Sequence, residues 1–258
     1  MKTIRLVLAA SFALFLTGCF QMEQLITVQT DGSGTILVTA VLDAATIQQM
    51  AEMAKAAGGD AKSPLDEMMD ATKAKEGAKK FGDGVKFEKM EKIRNATGEG
   101  AAVTYSFTDV TKLKVDFDPQ SMSGGVGEGE AKEPLTFDFT KGSPAKLTIK
   151  ATRKPPSGDK TPDDPDADAQ LAMAARMFQG AKITVAVVVG GTITETDAAH
   201  HDTTRVTLAE LPFDEVMKDP TVFKALNKAG SWEEACQVLK TINGVKVEPK
   251  ATVNVQFQ

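Results

Sequence analysis

Two β-rich runs joined by an Asp-Gly turn constrain the fold of this 258-residue chain more than any other feature. Leu25 to Gln29 (LITVQ) and Thr35 to Leu42 (TILVTAVL) are rich in β-branched residues, and Thr30 to Gly34 (TDGSG) lies between them. An Asp-Gly pair between two such runs is a strong signal for a β-hairpin. We therefore expect antiparallel pairing here, with Asp31 and Gly32 forming the turn rather than a ligand site.

The remaining strand patterns also come in pairs, with helical patterns between them. Further strands are predicted at Val85 to Ile93, Ala101 to Phe107, Leu113 to Phe117, Leu135 to Phe139, Lys146 to Ala151, Lys182 to Val189, Thr192 to Thr196, Arg205 to Leu211 and Ala251 to Phe257. Helices are predicted after Asp43, from Ser63-Pro64, around Leu171 to Phe178, and at Phe213 to Met217, Pro220 to Lys228 and Ser231 to Ile242. Paired strands predict an α+β fold, with an antiparallel sheet and helices packed on one side.

Two hydrophilic segments interrupt these patterns. Residues 121–133 (SMSGGVGEGEAKE) are rich in glycine, and residues 154–166 (KPPSGDKTPDDPD) are rich in proline and charge. Neither composition can build a packed core, so both are expected to be long exposed loops or linkers. The body, residues 19–258, can therefore consist of subdomains 19–120 and 134–258 that share one sheet.

The first eighteen residues have the layout of a signal peptide. Lys2 and Arg5 form a positive start, Leu6 to Leu16 form an apolar run, and Thr17-Gly18 supplies small residues before Cys19. Eleven apolar residues are too few for a membrane span, which needs roughly 20. We therefore expect residues 1–18 to be removed.

Leu16-Thr17-Gly18-Cys19 resembles the bacterial lipobox. The resemblance implies that the Cys19 sulfur receives a diacylglyceryl group, that the chain is cut before Cys19, and that the new amine is acylated with a fatty acid such as palmitate. Phe20 is not the aspartate associated with inner-membrane retention, so the implied location in a Gram-negative host is the outer membrane, facing the periplasm. The alternative is an ordinary secretory signal with a chance cysteine.

Charge and cysteine content narrow the function classes. The net charge of −5 argues against a nucleic-acid partner. Once Cys19 is lipidated, Cys236 has no second cysteine for an intrachain disulfide. Cys236 shares a helical face with Trp232 and Leu239, which favours a buried thiol over a nucleophile.

The candidate metal and cofactor motifs each fail a spacing test. His200-His201-Asp202 contains both histidines, but adjacent residues of an extended chain point to opposite faces, so a polar turn is favoured over a metal site. Asp164, Asp166 and Asp168 are followed by Ala175 where a calcium loop needs glutamate. The glycines of 124–129 match no nucleotide motif, and no GxSxG is present. We therefore expect no cofactor and no enzyme activity.

Four methionines suggest a ligand-binding surface. Met50, Met53, Met68 and Met69 lie on the two early predicted helices. Flexible thioethers suit surfaces that accept varied apolar ligands. The alternative is that these side chains only fill a core beneath a sheet.

Three segments together resemble the LppM-type domain of bacterial lipoproteins, over about Ile26 to Leu211. They are ITVQTDGSGTILVTAVLD, then GVKFEKMEKIRN with AAVTYSFTDVTKL, and KITVAVVVGGTITETDAAHHDTTRVTL. The resemblance implies an envelope α+β domain with lipid or glycolipid contact, and it supplies no catalytic residue.

The expected function is a membrane-anchored, non-catalytic envelope lipoprotein that binds a lipid-like ligand or an envelope protein partner. A purely structural lipoprotein is the alternative, and a metal-binding protein that uses His200 and His201 is a weaker one.

Overall fold

A computed structural model describes residues 20–44, 46–48, 52, 69–95, 98–115, 134–151 and 180–258. The strands in these ranges are β1 Phe20–Val28, β2 Gly34–Leu42, β3 Lys86–Asn95, β4 Gly98–Phe107, β5 Thr136–Thr140, β6 Ala145–Lys150, β7 Lys182–Val189, β8 Ile193–Thr196, β9 Arg205–Pro212, β10 Lys246–Val247 and β11 Thr252–Phe257. The α-helices are α1 Ala71–Gly77, α2 Phe213–Met217, α3 Pro220–Lys228 and α4 Trp232–Leu239, and short 3-10 helices cover Ala78–Phe81 and Val110–Lys112. The predicted α+β class is confirmed.

Two sheets contain these strands. The first has seven strands in the order β10-β9-β7-β1-β2-β4-β3, and the second has four in the order β5-β6-β11-β8. The expected antiparallel pairing holds for every pair except β1 and β7, which run parallel. A parallel neighbour needs a long crossover connection, and β7 joins β1 from about 150 residues further along the chain. The seven-stranded sheet therefore takes strands from both sides of residues 121–133.

The first hairpin forms as the sequence predicts. In the β1–β2 register, Val28 lies opposite Gly34. The carboxylate of Asp31 accepts hydrogen bonds from the amide and hydroxyl of Ser33, at 2.9 and 2.6 Å. Gly32 has a φ of 88°, a backbone conformation that residues with a side chain rarely adopt. A Cβ added at this position would lie 2.9 Å from the Phe139 ring. Asp31 and Gly32 thus serve the turn.

The two sheets pack face to face and form the main core, here called the two-sheet core. Alternate residues of each strand point inward, as a half-buried strand requires. The inward side chains of the large sheet include Ile26, Val28, Ile36, Tyr105, Phe107 and Val187, and those of the small sheet include Phe137, Leu147, Ile149, Val253, Val255 and Phe257.

A second, smaller core lies at one edge of the large sheet, here called the helical cluster. It joins α3, α4 and β10, and its buried residues are Cys236, Leu239 and Val247, with Trp232 and Leu211 packed beside them. Leu211 pairs with Ile183 and so lies on the same face as the two-sheet core. The helices of the described residues thus pack on that inner side, as expected.

Ser231 and Glu234 have the spacing of a capping box at the start of α4, and one of its two hydrogen bonds is displaced by one residue. The Ser231 hydroxyl accepts the Glu234 amide at 3.2 Å, as the motif predicts. The Glu234 carboxylate, however, accepts the amide of Gly230 at 2.7 Å instead of that of Ser231. Both donors at the helix start are still satisfied.

Two predicted elements differ from the structure. Within the helix predicted from Ser63-Pro64 to Thr72, Asp70 is not helical: its extended backbone and its side chain form the N-cap of α1. Asp70 favours this position because its carboxylate accepts the Thr72 amide at 2.8 Å. In the strand predicted at Leu113 to Phe117, Leu113 and Val115 form only isolated bridges, and residues 116–117 lie outside the described residues.

Several predictions fall outside the described residues: the signal peptide, both hydrophilic segments and the helix around Leu171 to Phe178. Among the helices that are described, none has the length and apolar character needed to cross a membrane.

Candidate functional site

The predicted lipidation site directly precedes the central strand of the large sheet. Cys19 itself lies outside the described residues, and Phe20 is the first residue of β1. β1 is the fourth of seven strands, and Phe20 pairs with Leu42 of β2. Consecutive Cα atoms are about 3.8 Å apart, so no linker separates residue 19 from the folded body.

The inner face of the large sheet near the start of β1 is apolar and half-buried. Met22 lies between Ala40 and Ile183 of the neighbouring strands. Met22, Val38 and Val103 pack against the two-sheet core but remain only partly covered. This part of the sheet, here called the half-covered face, offers apolar contact area to a bound molecule.

Gln24 places a polar group in this apolar surrounding. It lies between Val38 and Val185 and is 4% exposed. Its side-chain oxygen Oε1 has no hydrogen-bond partner within the described part of the chain. A buried unsatisfied acceptor costs about 1–3 kcal/mol, so a hydroxyl or amine donor that reached Oε1 would be bound favourably.

The four methionines predicted to line a ligand site are largely outside the described residues. Met50, Met53 and Met68 lie outside the described residues. Met69 is described, and it lies half-buried in the turn before Asp70. The early helix begins after Asp43, as the sequence predicts. The Asp43 carboxylate caps it by accepting a hydrogen bond from the Thr46 amide at 2.7 Å. The methionine site therefore stays a prediction.

Sequence reasoning missed two methionines on strands. Met22 is on the half-covered face, and Met90 of β3 lies opposite Val103. Alternation along β1 could have predicted the position of Met22, because residues 22, 24, 26 and 28 of a strand lie on the same face of the sheet.

The two histidines lie in the turn between β8 and β9, as the sequence predicts. His200 is half-buried and His201 is exposed. The Asp202 carboxylate accepts the amides of Thr204 and Arg205, both at 2.9 Å, so it serves the turn. Among the described residues, no three His, Cys, Asp or Glu side chains are grouped so that they could hold a metal ion.

A buried glutamate holds this turn in place. Glu248 is fully buried, and its carboxylate accepts the amides of Ala199 at 2.6 Å and Lys250 at 3.1 Å. Its backbone oxygen accepts the indole N–H of Trp232 at 3.4 Å. Glu248 thus connects the histidine turn with the helical cluster. Sequence reasoning missed it, because one glutamate between Val247 and Pro249 carries no periodic signal.

Asp197 and Lys250 fasten the same turn to β11. Asp197 accepts the Asn254 amide at 2.7 Å, and the Lys250 ammonium donates to the Asp197 backbone oxygen at 2.5 Å. Burial opposes ionisation of Asp197, but the hydrogen bonds from Asn254 and the charge of Lys250 keep its pKa below the usual value. The turn is thus built as a structural joint.

The possible nucleophiles in the described residues occupy structural positions. The Cys236 thiol is buried at 1% exposure in the helical cluster. Ser143 and Lys146 have the SxxK spacing of penicillin-binding enzymes, but Ser143 lies in the β5–β6 turn and Lys146 is exposed on β6. Burial raises the pKa of Tyr105 to about 12, and its hydroxyl donates to the Ala74 oxygen at 3.0 Å.

The outer face of the large sheet carries ion pairs. Arg205 contacts Glu23 at 3.3 Å, and Glu210 lies between Lys182 at 2.6 Å and Lys246 at 2.9 Å. Burial opposes ionisation of Glu210, but hydrogen bonds from the two lysines hold its pKa below the usual value. Such pairs are typical of a hydrated surface.

Comparisons with known proteins give one weak structural similarity. No family model matches the chain, and no curated protein matches it. Among solved structures, the NMR structure of the LppM protein folded domain from Mycobacterium tuberculosis is similar over 95% of each chain, with 12% sequence identity and a TM-score of 0.34.

Proposed function

We propose that this chain is a cell-envelope lipoprotein, anchored through Cys19, whose folded body binds a lipid-like ligand without catalysis. The observation that carries the proposal is the lipobox-like Leu16 to Cys19, followed directly by the central strand that begins at Phe20. Several acyl chains on one cysteine would give stable attachment, since each buried methylene contributes about 0.8 kcal/mol. Phe20 at the sorting position supports the outer membrane in a Gram-negative host.

The half-covered face supports the ligand-binding part of the proposal. Met22, Val38 and Val103 supply apolar contacts, and Gln24 supplies an acceptor for a single donor group. An apolar surface with a few placed polar groups is typical of small-molecule sites. The ligand class that fits is an acyl or isoprenoid lipid that carries a hydroxyl or amine near its chain.

Envelope fractionation tests the anchor. The wild-type protein should be found in the membrane fraction and should need detergent for release, whereas Cys19→Ala should leave the membrane fraction. Cys236→Ala is the matched control, because it removes the other cysteine and should leave the protein in the membrane. A Cys19→Ala protein that stays as firmly bound as the wild type would contradict the anchor.

Solvent extraction of the purified body, followed by mass spectrometry, tests the ligand. We expect a lipid at near-stoichiometric amount in the wild type. Gln24→Leu should weaken retention of a hydroxylated lipid roughly three- to tenfold, the value of one hydrogen bond. Gln21→Leu, on the other face of β1, should leave retention unchanged. An empty wild-type body would contradict ligand binding and favour the scaffolding alternative.

A further inference from the structure

The turn between α4 and β10 contains the pair Asn243-Gly244. We propose that this pair is a site of spontaneous deamidation, at which the Asn243 side chain loses ammonia and becomes aspartate or isoaspartate, with water as the co-reactant. Of the four asparagines in the sequence, only Asn243 precedes a glycine. The site depends on neither the lipid anchor nor the bound ligand, because it lies entirely within one surface turn.

The reaction joins two groups that are already neighbours in the chain. The main-chain nitrogen of Gly244 gives its proton to hydroxide and forms a bond to the side-chain carbonyl carbon of Asn243. The bond from that carbon to the side-chain nitrogen breaks, and the nitrogen takes up a proton and leaves as ammonia. Water then opens the cyclic imide at either carbonyl carbon, without oxidation or reduction. Because both groups belong to one chain, the entropic cost of an encounter is already met.

The geometry of the turn leaves both reacting groups accessible. The Val245 amide donates to the Ile242 oxygen at 3.3 Å, which closes a turn with Asn243 and Gly244 at its centre. Within the described part of the chain, neither the Gly244 amide nor the Asn243 side chain makes a hydrogen bond. Both residues are exposed, so water and hydroxide reach the peptide bond between them.

Glycine at position 244 gives this peptide bond its freedom to rotate. Gly244 has a φ of 77°, in the region that favours glycine. It has no Cβ to shield its nitrogen, and a Cβ added there would lie 3.7 Å from the Pro212 ring, its nearest neighbour. The surroundings of Gly244 therefore leave room for its nitrogen to approach the Asn243 side chain.

The first hairpin turn contains a similar pair, Asp31-Gly32, whose groups are held by hydrogen bonds. The Gly32 amide donates to the Gln29 oxygen at 3.0 Å, and the Asp31 carboxylate accepts the amide and hydroxyl of Ser33. Attack by the Gly32 nitrogen would first break these bonds. The two turns thus differ in whether the glycine nitrogen is free to react.

Asn254 is an internal reference, because its side chain is also held in place. It donates to Asp197 at 3.3 Å and accepts the Thr148 hydroxyl at 3.1 Å. The next residue, Val255, is paired with strands on both sides. Asn254 should therefore remain an amide under conditions that deamidate Asn243.

The products would alter the connection between α4 and β10. Isoaspartate carries the main chain through its side-chain carbon, so the turn becomes one carbon atom longer, and either product adds a negative charge. β10 has only two residues, Lys246 and Val247, which pair with Glu210 and Ala209 of β9. A longer turn should loosen this short pairing and the helical cluster beside it.

Peptide mapping by mass spectrometry tests the site. Full-length protein is incubated in warm, mildly alkaline buffer, digested, and analysed for peptides whose mass has risen by the difference between OH and NH₂. The peptide that contains residue 243 should be deamidated at least about tenfold more than the peptide that contains residue 254. A synthetic peptide of residues 239–248 gives the rate in the absence of the fold.

Asp31→Asn supplies the matched comparison, because it places a second Asn-Gly pair in the first hairpin turn. The new side-chain oxygen can still accept the Ser33 amide, and the Gly32 amide keeps its bond to Gln29. This pair should deamidate severalfold more slowly than residues 243–244 of the same molecule. Asn243→Gln should abolish the mass change in the 239–248 region, since the larger ring that it needs closes more slowly.

Two results would overturn the proposal. In the first, residue 243 of the folded protein stays an amide while the synthetic peptide reacts, which would show that the fold protects it. In the second, both Asn-Gly pairs of Asp31→Asn react at the same rate, which would show that a free glycine nitrogen does not control the reaction.

The same preparations test the effect on the helical cluster. The Trp232 fluorescence of aged wild type should change at a lower urea concentration than that of equally aged Asn243→Gln. Equal midpoints after extensive deamidation would overturn the loosening of β10.

Discussion

The two-sheet core and the helical cluster are built in different ways. The two-sheet core buries inward side chains from strands far apart in sequence, such as Ile26 and Phe257, both at 0% exposure. The helical cluster buries Cys236, Leu239 and Val247, which lie within twelve residues of each other. A large nonlocal core should unfold as one unit, whereas a small local core can open by itself.

The chain contains a natural reporter for each region. Its single tyrosine, Tyr105, is buried in the two-sheet core, and its single tryptophan, Trp232, packs in the helical cluster. Glu248 joins the regions, since its carboxylate holds the histidine turn and its backbone oxygen accepts the Trp232 indole N–H. The two regions can therefore be followed separately in one molecule.

The largest effect is expected from Phe257→Ala. Phe257 is fully buried and lies 6.5 Å from the Phe139 ring, centroid to centroid. Its removal should lower the free energy of unfolding by about 3–5 kcal/mol, measured by urea titration of the Cys19→Ala body. Lys146→Ala, on the exposed face of the neighbouring strand, should change it by less than about 0.5 kcal/mol. Equal effects would contradict the sheet packing.

Leu239→Ala should open the helical cluster while leaving the two-sheet core folded. We expect a loss of about 2–3 kcal/mol in the local transition, seen as earlier Trp232 fluorescence change and faster labelling of the Cys236 thiol. The β-sheet circular dichroism should keep its wild-type midpoint. A single shared transition that shifts for all three signals would show that the regions are not independent.

Glu248→Gln should destabilise the joint between the regions by about 1–2 kcal/mol. The replacement amide can still accept one hydrogen bond, but its NH₂ group would face a backbone donor. The measurement is urea unfolding followed by Trp232 fluorescence, with the exposed Glu233→Gln as a control. If the two variants behaved alike, Glu248 would not be the joint described above.

The smallest effect is a pH dependence at Glu210. Because the folded-state pKa of Glu210 is lowered, its stabilising contribution is complete above about pH 5 and is lost as the pH falls through the folded pKa. The stability difference between wild type and Glu210→Gln should be at most about 1 kcal/mol at pH 7 and should vanish at low pH. A difference that grows on acidification would contradict this assignment.

Local patterns predicted most of the secondary structure of the described residues. Alternation placed β2 to β9 and β11 within about three residues, whereas β1 begins at Phe20, five residues before the predicted Leu25. Asp31-Gly32 identified the first turn. The parallel pairing of β1 with β7 was missed, because hydrophobic alternation does not record strand direction. The helix start at Asp70 was missed because Asp70 was placed inside a predicted helix, although its side chain competes for backbone amides.

The candidate site was less predictable than the fold. The histidine turn was anticipated, because His200-His201-Asp202 is a polar stretch between two predicted strands. Gln24 and Glu248 were not, because burial of a polar residue depends on which strands lie beside it, and Val38, Val185 and Ala199 come from distant segments. Lipidation of Cys19 stays a prediction that depends on four residues, Leu16 to Cys19, and on no feature of the fold.

Mass spectrometry of the N-terminal peptide from the membrane-extracted protein tests the central claim most directly. We predict a peptide that begins at Cys19, carries a diacylglyceryl group on sulfur and a fatty acyl group on the amine, and continues with Phe20 into β1. An unmodified Cys19, or a mature chain that begins elsewhere, would contradict the lipid anchor.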